Sequence, residues 1–442
     1  MTIISTGPVG EDTPGIRLKS ISDEYVAQLY SIIEINRSVI PELTARTEDE
    51  IAKIRDEILE SLSPEERAVS REYLAKFVDN LGTLINPEKN AENVPRLSLE
   101  MSNRGAGAAI GHLVMQVTYR AKAGSQDVLL RKSLLVSAIS TFEVLFGQLA
   151  RTIYSINTSS LNDSDHSFTL QELAEFDTLD DAREYLIEKR VSTLLRDSID
   201  GWEKWLKRAC GGVSMESLPV FWPLVRESFA RRNLLVHTGG VVNQLYLSVV
   251  AKLGLPDSVS IKPGARLDVD EEYLDWVLQE LLALGQILIC TVGAKLYKKE
   301  TELFTNVAIH AAHNFSFRHA NHASKAVCNY ILSCKLSRHD EMMARVRRWL
   351  SIKETTGIEG VRAEIEEWDT SGLDASISHC KPVLLDDLDE AKRAVEVLIS
   401  QGHLSRFEVA VDPLYKRLLK PLFADQQGSS GASDSGDPDN SE

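Results

Sequence analysis

The residues best placed to do chemistry lie in one stretch, Glu227-Ser228-Phe229-Ala230-Arg231-Arg232-Asn233-Leu234-Leu235-Val236-His237-Thr238-Gly239-Gly240-Val241-Val242-Asn243. An imidazole titrates close to neutrality, so His237 can take a proton or give one back. A guanidinium is permanently charged and can bond two phosphate oxygens at once, so Arg232 suits a phosphate that gains charge in a transition state. Asn233 and His237 are four residues apart and share a face if the segment is helical. Arg232 and His237 are five apart, which separates them by about 140° on a regular helix. They converge if Arg232 opens the helix, or if a second chain supplies the partner. Glu227 stands four residues before Arg231, the spacing of an intrahelical ion pair.

A bare Arg-x4-His pattern is common, and its neighbours sharpen it. A polar residue, Asn233, directly follows the arginine; Glu227 precedes the Arg231-Arg232 pair; Gly240 and Asn243 follow the histidine. This string resembles the motif of HEPN-domain proteins, and within them the RiboL-PSP-HEPN branch, over about residues 100–298. The resemblance implies an all-α, HEPN-type helical bundle in the centre of the chain. It implies an endoribonuclease that cuts RNA through its own 2′-hydroxyl without a metal, leaving a cyclic phosphate and a 5′-hydroxyl. His237 is then the general acid/base, Arg232 the phosphate stabiliser and Asn233 a polar orienter, with Glu227, Arg231 and Glu143 in support. Glu143 follows Phe142 where family members often carry an acidic residue near the cleft. The resemblance also implies a homodimer with both motifs lining one cleft, a toxin or phage-defence role, and a regulatory protein partner. Gly239 stands where members modified by a partner nucleotidyltransferase carry tyrosine, which argues against neutralisation of that kind. The alternative reading is a HEPN module that binds RNA or a nucleotide without cutting, or a helical interaction scaffold.

Other constellations carry less. His310, His313, His319, His322, Cys328, Cys334 and His339 are the residue types that hold zinc, but their spacing matches no zinc pattern, and helical histidines more often pack or face water. Gly105, Gly107 and Gly111 lack the spacing and the preceding strand of a dinucleotide loop. Trp202 and Trp205 read as helix-packing residues. No cofactor and no metal is expected.

The 442 residues are 43% hydrophobic and 26% charged, which suits a folded chain with a real core. The net charge of −16 opposes a general coating of nucleic acid, which depends on many phosphate-neutralising cations. Residues 1–100 are acidic, with 11 Lys/Arg against 19 Asp/Glu, whereas 101–160 hold 6 against 2. The five cysteines, Cys210, Cys290, Cys328, Cys334 and Cys380, form no CxxC pair. Together with an N-terminus lacking a basic-then-apolar signal, they predict a cytoplasmic protein with reduced thiols. The most apolar stretch, Leu281 to Ala294, predicts a buried core helix rather than a membrane span.

Helical periodicity runs almost throughout. Val26, Leu29 and Ile33 share a face in a segment that Pro41 should close. Thr47 with Glu50 predicts a new helix start, and Ser63-Pro64 another, leading to Val69, Tyr73 and Phe77. Leu135, Ile139, Phe142, Phe146, Leu149 and Ile153 mark one stripe of a long helix. A polar loop is expected at Asn157 to Ser167, a single helix around 178–209 ending near Gly211-Gly212, and a long helix capped by Asp270 with Leu274, Val277, Leu281, Leu284, Leu288 and Val292 in its stripe. Helices are also expected at Met342 to Ile352 and Leu388 to Gln401. The predicted divisions are an acidic helical unit at 1–95, a HEPN-like domain at 96–300, a C-terminal helical unit at 301–424 and a disordered tail at 425–442.

Overall fold

A computed structural model describes residues 13–60, 126–157, 168–255 and 261–423, together with positions 63, 64, 111 and 115. Among these the chain is all-α, without a β-strand; an isolated antiparallel bridge pairs Val241 with Arg266. The longer helices are α1 (Pro14–Glu34), α2 (Ile40–Glu60), α3 (Gln126–Ile156), α4 (Leu179–Leu195), α5 (Ile199–Ala209), α6 (Trp222–Thr238), α7 (Gln244–Val250), α8 (Glu271–Leu296), α9 (Thr301–Phe317), α10 (Asn321–Ile331), α11 (Arg338–Thr356) and α12 (Leu388–Ser400). The helix expected to carry Val69, Tyr73 and Phe77, glycines 105 and 107, nearly all of the Asn157 to Ser167 loop and the 425–442 tail lie outside the described residues.

The contacts divide the chain into two units, each assembled from separated segments. One holds Glu24–Phe146 and Phe221–Leu281; the other holds Met1–Asp23, Gly147–Val220 and Leu282–Glu442. Helices α3 and α8 each give their two ends to different units.

The first unit is built on an aromatic centre. Phe142 of α3 is fully buried and meets Tyr25 of α1 edge-on at 6.4 Å and Phe229 of α6 edge-on at 6.1 Å. The α3 stripe predicted from sequence is buried here at Leu135, Ile139, Phe142 and Phe146. Pro41 does not close the first helical segment. A π-turn at Ile35–Val39 precedes α2 instead, and Pro41 sits in the first turn of α2. A proline ring clashes with the carbonyl four residues back and donates no N–H, and a widened turn accommodates both defects. The Thr47–Glu50 pattern lies inside α2, which runs through it unbroken.

The second unit contains the C-terminal part of α8, buried on all sides at Leu282, Ala283, Leu284, Ile287, Leu288, Ile289 and Val292. By length and composition α3 and α8 are each apolar enough to cross a membrane, but 89% of the most apolar window of α8 is covered by the fold itself. The single helix expected over 178–209 is two helices. Ser198 caps α5 by accepting from Gly201 N at 3.2 Å, and the Asp197 carboxylate lies against Gly201, where a Cβ would collide with it. The expected helix at Met342 to Ile352 is the middle of α11, and that at Leu388 to Gln401 is α12. These pack around Trp349, Leu350, Leu384, Val395, Val409 and Tyr415.

A buried ion pair ties this core together: Arg347 donates from Nη1 to Asp412 Oδ1 at 2.7 Å, and its Nη2 meets Oδ2. Burial pushes the Asp412 carboxyl up, but the hydrogen bonds and charge of Arg347 outweigh it and hold the pKa below the ordinary value. A depressed carboxylate adds stability that is present above its unfolded pKa and lost as pH falls toward the folded one. The wild-type chain should therefore lose more stability than Asp412→Asn between neutral and acid pH, measured as urea midpoints. Equal losses would show that the pair carries no pH-linked stability.

Candidate active site

Helix α6 starts with proline at its second residue, Pro223, which needs no N–H there, while Phe221 N donates to Glu280 Oε2 at 2.7 Å. It ends at Gly239, whose φ of +64° is left-handed, and Gly240 N donates to Leu234 O at 3.0 Å. Gly240 itself has φ +91°, and a Cβ there would lie 2.8 Å from the backbone oxygen of Leu267. The close approach is used: Leu267 N donates to Gly240 O, and Val242 N to Ala265 O, both at 2.9 Å. Gly240→Ala should cost about 1–3 kcal/mol of stability from strain alone, read from urea unfolding. A neutral result would show that the 264–267 loop yields freely.

Between these ends the two arginines part company. Glu227 is buried and accepts from Arg231 Nε at 2.8 Å, from Tyr246 Oη at 2.6 Å and from Tyr273 Oη at 2.6 Å. The i,i+4 pair read from the spacing is thus present, embedded in a network that joins α6, α7 and α8. The Arg231 guanidinium lies over the Tyr273 ring at 3.8 Å and donates from Nη1 to Asp268 O at 2.9 Å. Burial opposes its charge, but Tyr273, Glu227 and Tyr246 more than offset this and raise its pKa. Burial, then the charge of Glu227, pushes both tyrosine hydroxyls up. Arg231 is therefore a fixed structural cation.

Arg232 takes the other direction. Its Nη2 pairs with the Glu143 carboxylate of α3, and Nη1 donates to Asn233 Oδ1 at 3.3 Å. Its Nε is buried without a hydrogen-bond partner among the described residues, and burial lowers its pKa. Arg232, Asn233 and Glu143 are thus brought together. His237 lies in the last turn of α6, exposed, and no hydrogen bond or ion pair among the described residues joins it to Arg232. Arg232 sits mid-helix, so the first of the two routes to convergence, an arginine at the helix start, does not apply. Of the apolar residues between them, Leu234 packs with Val242, Tyr246 and Val250, whereas Val236 is 54% exposed.

Sequence reasoning missed Tyr246 and Tyr273. Both stand three residues after a helix cap: Asn243 Oδ1 accepts from Tyr246 N at 2.9 Å and Asp270 Oδ1 from Tyr273 N at 2.7 Å. The Asp270 cap was legible; the Asn243 cap, and the convergence of both rings on Glu227, were not.

Among the described residues no group of three or more His, Cys, Asp or Glu is gathered as metal ligands. His310, His313, His319 and His339 are exposed, His322 is half-buried and Cys328 is buried. Trp202 is buried with its Nε1 donating to Leu194 O at 2.8 Å, and Trp205 packs on Tyr154. Compared with known proteins, the chain matches no family model, no curated protein and no solved structure.

Proposed function

We propose that this chain is an endoribonuclease of HEPN type, with His237 as general acid/base, Arg232 as phosphate stabiliser and Asn233 as orienter. The observation that carries the reading is the division of the arginine pair. Arg231 is locked inward by Glu227, Tyr246 and Tyr273, while Arg232 turns toward Glu143 and Asn233 and keeps part of its side chain exposed. A partly exposed guanidinium held by one carboxylate is a suitable receiver for a phosphate oxygen.

Because α6 keeps Arg232 and His237 on different faces, the reading requires the arginine of one chain and the histidine of another to act on one phosphodiester, in a homodimer. The 2′-hydroxyl proton goes to one imidazole, the 2′-oxygen bonds to phosphorus, and the 5′-oxygen leaves with a proton from a positioned acid. The products are a 2′,3′-cyclic phosphate and a 5′-hydroxyl, and no metal is needed for these steps. A toxin or defence role, with a regulatory partner, fits such an activity.

The test is incubation of the full chain with end-labelled RNA in EDTA, beside His237→Ala and Arg232→Ala. Cleavage that resists EDTA and disappears in both variants supports the enzyme. RNA binding without cleavage by the wild-type chain would replace it with a binding module, and absence of RNA contact with an interaction scaffold.

A further inference from the structure

The C-terminal end of α6 carries a cation that lies outside the Arg-x4-His pattern. The chain leaves α6 through Gly239 and Gly240, and the segment 264–267 comes back across that exit. Backbone contacts pin it there. Val241 and Arg266 form the antiparallel bridge, Leu267 N donates to Gly240 O, Val242 N to Ala265 O and Gly264 N to Val242 O, each of these three bonds at 2.9 Å. The backbone of Arg266 is thus fixed although the residue is exposed.

Its side chain runs along the two glycines. A Cβ at Gly240 would lie 3.9 Å from Arg266 Cγ, and one at Gly239 would lie 4.0 Å from Arg266 Nη2. The guanidinium therefore stands by the end of α6, beside the residue two past His237, and His237 is exposed as well. Neither side chain makes a hydrogen bond or ion pair among the described residues. The acid next along the chain is already engaged: Asp268 Oδ1 pairs with Lys132 of α3 at 2.5 Å, and its carbonyl accepts from Arg231 at 2.9 Å. Residues 261–267 hold Lys262 and Arg266 and no Asp or Glu, a local positive charge on a chain of net −16. The carbonyls that end a helix favour a cation nearby, so Arg266 needs no carboxylate to hold it, and its donors stay free for an anion.

We propose that Arg266 binds a backbone phosphate of the RNA strand and so positions that strand at His237. This role rests on the reading of His237 as acid/base. It supplies a cation on the histidine's own chain, whereas Arg232 lies on another face of α6 and serves the histidine of a partner. A guanidinium bonds phosphate through two donors whatever the base, so the contact adds affinity without sequence preference. Arg266 holds the strand but moves no proton. Its loss should therefore raise KM far more than it lowers kcat.

Two measurements on the full chain test this. Anisotropy titration with a labelled 2′-O-methyl oligoribonucleotide, which lacks the attacking hydroxyl, reads binding apart from cleavage. End-labelled RNA in EDTA reads KM and kcat. Arg266→Ala should weaken binding and raise KM about tenfold, leave kcat within about threefold, and reduce the slope of log affinity against log salt by about one contact. Arg266→Lys, which keeps the charge, should recover part of the affinity. Unchanged affinity and KM in Arg266→Ala overturn the proposal and leave His237 and Arg232 as read. Weaker binding with an unaltered salt slope, or a lysine variant no better than alanine, would give Arg266 a structural role and overturn it too. If the wild-type chain binds RNA without cutting, the nuclease reading falls while the affinity of Arg266→Ala still decides this contact. A wild-type chain that binds no RNA refutes both.

Discussion

Replacing His237 with alanine should lower RNA cleavage by about 10²- to 10⁴-fold, the usual contribution of a positioned acid or base. The side chain is exposed, and its neighbour Leu234 makes the packing contacts of that turn, so the fold should be indifferent to the change. Arg232→Ala should cost a similar factor, with one further consequence: Glu143 is left as an unpaired carboxylate facing the substrate. Arg232→Ala with Glu143→Ala should then recover part of the RNA binding that Arg232→Ala loses. Mixing the two inactive chains provides the sharper measurement. If the arginine of one chain serves the histidine of another, a mixture of Arg232→Ala and His237→Ala chains regains a fraction of wild-type rate, because some pairs carry one intact combination. A mixture as inactive as its components, from a protein that is monomeric at all concentrations by mass, would remove the shared phosphate site.

Glu227→Ala should be the most destabilising substitution in this region, by about 3–5 kcal/mol, the cost of leaving one member of a buried pair behind. The loss is compound, since Arg231 keeps its charge over the Tyr273 ring and two tyrosine hydroxyls lose their acceptor. Against a typical domain stability of about 5–15 kcal/mol this is a large share. Glu227→Gln keeps an acceptor oxygen and should lose less. Urea denaturation followed by helical circular dichroism measures both; a loss below about 1 kcal/mol for Glu227→Ala, within the range of an ordinary surface change, would mean that Arg231 and the tyrosines find other partners.

The helices were legible wherever one face is buried over several turns. The row from Leu135 to Ile153 could be read directly because its steps of four and three map onto one stripe, and all six residues are buried. The row on α8 was equally readable, and the apolar stretch from Leu281 to Ala294 already pointed to a buried core helix; Ile287 and Ile289 lie off the stripe and are fully covered too. The break after α4 was missed because apolar periodicity continues across Asp197-Ser198, and a cap changes direction without changing composition. The pairing of Glu227 with Arg231 is local and follows from spacing. The destinations of Arg232, Tyr246 and Tyr273 are long-range and depend on which helices pack side by side, which no local pattern encodes.

The π-turn at Ile35–Val39 gives the chain a property that no substitution can reach. A widened turn amounts to one residue inserted into an otherwise regular helix, and it carries the buried Asn36 beside Arg37, which pairs with Asp275 of α8 at 2.9 Å. Deleting a single residue there would restore ordinary winding and return the Pro41 ring to a carbonyl with nowhere to go, even though the side chains of α2 would keep their phase, because the widened turn had already absorbed the extra residue. Length, rather than chemical identity, is the protected quantity in this segment: sequence drift should be forgiven and a lost codon should not.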